Sequence, residues 1–266
     1  MLQNLNKLIG YAIRATDGEI GKVDDFYFDD QEWTIRYLVV DTGPWLTGRK
    51  VLLLPSCLGL PNWEGKVLPV NVTMERIKDS PDIDTRKPVS RQHETELHDY
   101  YNGIPYWNMD PYTPMAGMTP GFLYPTIARI ENDSQQLAGE QKTPANKPTE
   151  DPSLRSANEM LGYHIEAGHG SIGHIEDFII DDNGWIIRYL SIDTRNWLPG
   201  KRVLIAPLWV SDISWSERKI NVDLDRETIK NSPAYDHTAP ITRSYEEKLS
   251  DYFCKPKYWM KNIPPR

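Results

Sequence analysis

Cysteine is nearly absent: Cys57 and Cys254 are the two in 266 residues. Two cysteines make no disulfide framework, so a reducing, cytoplasmic location is expected. Long apolar runs are missing as well. The longest, such as residues 37–40 and 51–55, fall far short of the about 20 apolar residues of a membrane helix, and no transmembrane segment is expected. The opening residues hold no charged stretch followed by an apolar one, so no secretory signal is expected. There is no block of about five or six like charges, and the formal net charge is −8. Nucleic-acid binding draws most of its affinity from Lys and Arg on phosphates. An acidic chain without a basic stripe is therefore expected to bind neither nucleic acid nor anionic lipid. No phosphate loop of the P-loop or dinucleotide type is present.

What is present is a repeat. Residues 8–107 recur as residues 160–259 without a gap at an offset of 152, with about 40 of 100 positions identical. In each copy, short apolar stretches alternate with tight-turn residues. In the first copy the pattern predicts strands at 8–13, 19–28, 33–42, 50–54 and 66–72, with turns at 16–18 and 29–32. The second turn reads Asp181-Asp182-Asn183-Gly184 in the other copy, an Asn-Gly hairpin signal. Thr73 and Asp225 then read as N-caps of a short helical turn stopped by Pro81 and Pro233. Ser90 and Thr242 read as caps of further helices over 91–101 and 243–253. Apolar stripes there fall at His93, Leu97, Tyr100 and Tyr101, and at Tyr245, Leu249, Tyr252 and Phe253.

Short strands at close spacing predict a mainly β fold: two tandem small β-barrels, each followed by a short helix, joined by a Pro-rich linker. The expected boundaries are a first barrel at 1–85, a helix and Tyr-Trp tail at 86–107 and an unduplicated Pro, Met and polar linker at 108–157. A second barrel follows at 158–237, with its helix and tail at 238–266.

The residues LIGYAIRATDGEIGKVDDFYFD, IRYLVVDTGPWLTGRKVLLLP and TMERIKDSP occur in that order in the first copy. MLGYHIEAGHGSIGHIEDFIID, IRYLSIDTRNWLPGKRVLIAP and DRETIKNSP answer them in the second. Together they resemble the PRC-barrel family, the β-barrel named for the photosynthetic reaction centre H subunit. The likeness is to stand-alone bacterial proteins of two such barrels. It implies a β-barrel fold and non-catalytic work, holding protein partners or organising an assembly. The H subunit carries a membrane-spanning N-terminal helix, and no such helix is read in this chain.

Candidate chemical residues have plain structural readings. Asp29-Asp30 and Asp181-Asp182 read as hairpin ends, where Asp bonds the turn backbone. His169 and His174 differ in kind from Asp17 and Lys22 at the matching places, and His93, His98 and His237 read as surface or half-buried polar groups. Asp25 with Arg36, and Asp177 with Arg188, read as cross-strand ion pairs. Ser56, Ser80 and Ser171 have no recurring His or Asp context. Trp45-Leu46 and Trp197-Leu198 each sit in an inter-strand loop before a basic pair, Arg49-Lys50 or Lys201-Arg202. Each Trp-Leu reads either as a plug over the barrel mouth or as a contact with a partner or the other barrel.

The sequence thus predicts a cytoplasmic protein-binding or assembly module with no catalytic residue, metal or cofactor. Its expected partner is a protein, with pairing of the two barrels or a homo-oligomer as further associations. Two other readings stay open: a small-molecule sensor or enzyme with its site between the barrels, and an assembly factor of a membrane complex.

Overall fold

The computed structural model describes residues 1–81, 91–106, 154–168, 170–194 and 201–260. The chain divides into two compact units that do not follow the repeat boundaries. The first contains Leu8–Asn158 and Asp182–Ile186; the second contains Met1–Lys7, Glu159–Asp181 and Ile187–Arg266. The chain opens with strand β1 (Leu2–Asn4), which belongs to the second unit although it precedes the first repeat in sequence. Residues 1–7 of the expected 1–85 segment thus fold with the second unit.

In the first unit, β2 (Ala12–Arg14), β3 (Glu19–Asp29), β4 (Thr34–Asp41) and β5 (Lys50–Leu53) pair antiparallel in sequence order. Strand β6 (Val67–Pro69) returns to pair parallel with β2, so the sheet is mixed. Among the described residues no ladder joins β5 to β6; that stretch makes only the isolated bridges Leu58–Val70 and Asn62–Val67. Pro55, Pro61 and Pro69 have no N–H with which to extend a ladder there. The helix α1 (Met74–Lys78) is capped by Thr73, whose hydroxyl accepts from the Arg76 N–H. After α2 (Arg91–Tyr101), β7 (Leu154–Ser156) pairs antiparallel with the far half of β3.

The second unit repeats this plan. Helix α3 (Ala157–Met160) leads in from β7, with its last two residues in this unit. Next come β8 (His164–Ala167), β9 (Gly170–Asp181), β10 (Ile186–Asp193) and β11 (Arg202–Ile205). Strands β12 (Val210–Ser214) and β13 (Lys219–Val222) form a hairpin, and β13 lies parallel to β8. Here β1 pairs antiparallel with β9. Helix α4 (Arg226–Asn231) is capped by Asp225 and α5 (Arg243–Tyr252) by Thr242, each accepting an N–H three residues on.

Strand β4 is buried at every position but its last, as a strand covered on both faces must be. Phe26, Phe28, Ile35, Leu38 and Leu53 fill one side with no exposed surface to speak of. Helix α2 covers Tyr37 on the other side. Its buried face is Glu94, Leu97, His98 and Tyr101, while His93 is exposed and Tyr100 half-buried. In α5 the buried face is Glu246, Leu249 and Ser250, continued by Phe253. The expected stripes are thus turned by about one residue, because each helix aims a carboxylate at a tyrosine rather than only apolar carbons at a core.

The hairpin between β3 and β4 turns without a glycine. Asp29 accepts the Trp33 N–H on its carbonyl, and the Gln31 and Glu32 N–H groups on its carboxylate. The left-handed position falls on Trp33, φ 54°, and in the other repeat on Trp185, φ 53°, not on Gly184. A non-glycine residue there carries strain, offset by stacking of Trp33 on Phe28 and of Trp185 on Phe26, both within the first unit.

Candidate functional site

The loop after β4 is closed at its base by side chains. Thr42 donates its hydroxyl and its N–H to the Arg49 carbonyl. Between them lie a 3-10 turn (Gly43–Leu46) and Thr47 in the left-handed region, φ 56°. The Arg49 guanidinium donates to the carbonyls of Lys78, at 2.9 Å, and Ser80, at the C-terminal end of α1. A cation there satisfies carbonyls the helix leaves open and meets the negative end of its dipole. Lys50 pairs with Asp24 at 2.6 Å. The second unit builds the same base. Thr194 donates to the Lys201 carbonyl at 2.7 Å, and Lys201 donates to the Lys230 and Ser232 carbonyls after α4. Burial there lowers the Lys201 pKa. Arg202 binds Glu176. Both basic pairs are therefore occupied internally. What the first loop presents is Trp45 and Leu46, each half-exposed. Trp197 and Leu198 lie outside the described residues.

A second constellation escaped the sequence reading. In the first unit the fully buried Glu94 accepts from the hydroxyls of Tyr37, at 2.9 Å, and Tyr106, at 2.8 Å. The Arg36 guanidinium lies 3.8 Å from the centre of the Tyr106 ring. At the same offset of 152, Glu246 accepts from Tyr189 at 3.2 Å and Tyr258 at 2.7 Å, and Arg188 lies over Tyr258. Arg243 adds an ion pair to Glu246 at 2.9 Å. Burial is the main cause of every shift here. It holds Tyr37 and Tyr189 well above the ordinary phenol range, pushes Tyr258 up to about 12 and raises Glu246 against the bonds it accepts. Raised phenols and a carboxylate acceptor make a latch that fixes each helix and its tail to its own sheet. The signal for it was in the sequence: all four residue types are identical in both copies. They were read apart because they come from a strand, a helix and a tail.

The third constellation corrects an expectation. Asp25 does not pair with Arg36, nor Asp177 with Arg188. Asp25 lies opposite Val39, and a bulge skips Arg36 between the Tyr27–Tyr37 and Phe28–Ile35 pairs. At about 3.3 Å per residue the two are roughly 10 Å apart along the ladder. Arg36 binds Glu32 at 2.7 Å and Asp29 at 3.5 Å, and Arg188 binds Asp181 at 3.6 Å. Asp25 instead accepts from the Ser156 hydroxyl, the Asn158 N–H at 3.1 Å and the Phe26 N–H at 2.7 Å. Asp177 accepts from the Asn4 amide at 2.9 Å, the Asn6 N–H at 3.0 Å and the Phe178 N–H at 2.7 Å. These buried carboxylates draw the leading segment of one repeat into the unit built on the other.

Burial raises both carboxyls above their ordinary value of 3.8, the accepted hydrogen bonds opposing it. A raised folded pKa stabilises below the unfolded value, and that contribution is lost as pH rises through the folded value. Relative to Asp25→Asn and Asp177→Asn variants, the native protein should therefore lose stability as pH rises above the ordinary carboxyl value of 3.8. Urea midpoints along that rise measure it, and a constant difference between native and variant would remove the argument.

Residues 3–56 match the PRC-barrel domain. No curated protein matches the chain. The PRC-barrel match runs from within β1 to beyond β5, so it includes Asn4, Asn6, Asp25, Tyr37 and Trp45. The leading strand is thus inside the matched domain, yet its residues 3–7 fold with the second unit. The remaining candidates lie apart from one another. Asp30 binds Arg155 at 2.9 Å. His174 stands opposite His164 across β8 and β9, His98 is buried on α2 between Tyr37 and Tyr106, and His237 touches Arg202. His169 lies outside the described residues. Ser56 and Ser171 are exposed and Ser80 is buried. Among the described residues no three His, Cys, Asp or Glu side chains gather as metal ligands, and no helix is long and apolar enough to cross a membrane.

Proposed function

We propose that the chain is a non-catalytic protein-binding or assembly module made of two tandem PRC-barrels that arose by internal duplication, acting in the bacterial cytoplasm. The second barrel, from about residue 158, rests on the gapless repeat and on the matching order of elements in the second unit. One observation carries the functional reading. The buried carboxylates common to both repeats are occupied in holding each unit together, Glu94 and Glu246 in the latch and Asp25 and Asp177 on the leading segments, and the basic pairs close the loop base. The common Trp-Leu pair is different: in the first unit side-chain and backbone bonds close the base of its loop, and Trp45 and Leu46 stand half-exposed. A braced aromatic of this kind is what a protein contact favours, since little conformational entropy remains to be lost on binding.

The test is a Trp45→Ala, Leu46→Ala double variant of the full chain. Removing a hot-spot aromatic costs about 2 kcal/mol or more of binding, roughly thirtyfold in affinity. Surface truncation changes stability by about 0.5 kcal/mol. Capture from lysate of the native cell should retain a stoichiometric protein on the native chain and lose it on the variant, at an unchanged melting temperature. Equal capture by both proteins would remove the loop as the contact.

A further inference from the structure

The two leading segments, Leu-Gln-Asn-Leu-Asn-Lys at 2–7 and Leu-Arg-Ser-Ala-Asn-Glu at 154–159, stand at the same offset of 152 as the repeats. They are bound in the same register. Leu2 stands opposite Asp181 in the second unit, and Leu154 opposite Asp29 in the first. Two residues on, the Asn4 amide or the Ser156 hydroxyl meets a buried aspartate. Two residues further, Asn6 or Asn158 gives its N–H to that aspartate and its side-chain amide to the carbonyl of the residue before it, Glu176 or Asp24. Leu5 and Ala157 are buried between these polar contacts. Each acceptor thus reads a short pattern at alternate residues: Leu, then Asn or Ser, on a three-residue strand, then Asn in the helical turn that follows it.

Each segment satisfies the acceptor built on the other repeat and is followed directly by its own. The chain leaves the second unit at Lys7 and enters the first at Leu8; it leaves the first at Asn158 and enters the second at Glu159. Within one chain this is the arrangement of a strand-exchanged dimer, in which identical contacts form whichever copy supplies the strand. In the intact chain the supply is intramolecular, and its high effective concentration favours the internal partner. The contacts themselves do not depend on the covalent connection.

We propose that each unit is a strand acceptor, with Asp25 or Asp177 at its floor, that takes the leading strand of another copy of this chain when the connection between the repeats no longer favours the internal one. The ligand is a short β-strand with the helical turn after it, of the Leu-x-Asn/Ser-x-Asn pattern, and the partner is a second copy of this chain.

The experiment cuts the folded protein. A specific protease site is inserted between Glu140 and Gln141 of the full chain, and the purified protein is cleaved and mixed with isotopically heavy cleaved protein. Native mass spectrometry should show the halves still paired one to one, with heavy–light hybrids accumulating. Hydrogen exchange should show the amides of β1 as protected after cleavage as before it. Asn6→Pro with Asn158→Pro removes both backbone donors to the aspartates and should weaken pairing of the halves by at least about tenfold. Should the proline pair fail to fold, Asn4→Ala with Ser156→Ala removes only the side-chain donors and should weaken pairing in the same direction. Separation of the native halves at micromolar concentration would overturn the proposal. So would hybrids that form as readily in the variants as in the native protein, or loss of β1 protection while the halves stay paired.

Discussion

Gly21→Ala should destabilise the first unit by about 3–5 kcal/mol, among the larger effects of any single substitution. Gly21 lies beside a bulge of the β2–β3 pair, at φ +148°. A β-carbon there would overlap the carbonyl oxygen of Asp41 on β4 and come within 2.9 Å of the Thr42 α-carbon. Neither is the far end of a flexible side chain, so relief requires one strand to move away from its neighbour. Gly173 meets Asp193 and Thr194 in the same way, at φ +147°, and Gly173→Ala should do as much to the second unit. Gly10 separates the two causes. It too has a positive φ, +80°, but a β-carbon there has nothing within 4 Å, so Gly10→Ala should cost only about 1 kcal/mol. Urea unfolding followed by circular dichroism gives the comparison. A Gly21→Ala protein within about 1 kcal/mol of Gly10→Ala would show that backbone strain, not close strand approach, keeps glycine at this place.

The second large effect is expected at the latch. Glu94→Ala leaves the Tyr37 hydroxyl, fully buried, and the Tyr106 hydroxyl without their acceptor. Each stranded buried donor costs about 1–3 kcal/mol, so a loss of about 2–4 kcal/mol is expected. Glu94→Gln keeps one acceptor oxygen and should lose about 1 kcal/mol. Tyr37→Phe removes donor and demand together and should also lose about 1 kcal/mol. Because the latch joins α2 to β4, Glu94→Ala should also raise amide exchange in α2 more than in β3. Uniform loss of protection over the whole unit would mean the latch has no local hold on the helix.

Much of this was legible along the chain. The main strands of each repeat, the hairpin at Asp29 and the caps at Thr73, Asp225 and Thr242 are local matters. Turn chemistry and alternation act over a few residues, and the repeat shows each of them twice. The helix face was misread for a reason internal to the method: periodicity counts apolar residues, and the buried faces of α2 and α5 include Glu94 and Glu246. The Asp25–Arg36 pairing was misread because membership of neighbouring strands does not fix register: counting back from Asp29 opposite Thr34 puts Asp25 opposite Leu38, and a bulge moves it on to Val39.

The sequence by itself determined the main strands and helices of each repeat, their order and the residues both repeats hold in common, but not the leading strands β1 and β7. Backbone sterics, capping and hydrophobic periodicity act within a few residues and leave their marks there. Only the tertiary structure decided which unit each leading strand completes, which carboxylates hold it and where each helix fastens. The two leading segments share one pattern, Leu-x-Asn/Ser-x-Asn, so their residues alone do not say which acceptor each joins. That choice is made by contacts between residues more than 100 positions apart, such as Asn4 with Asp177 and Asn158 with Asp25.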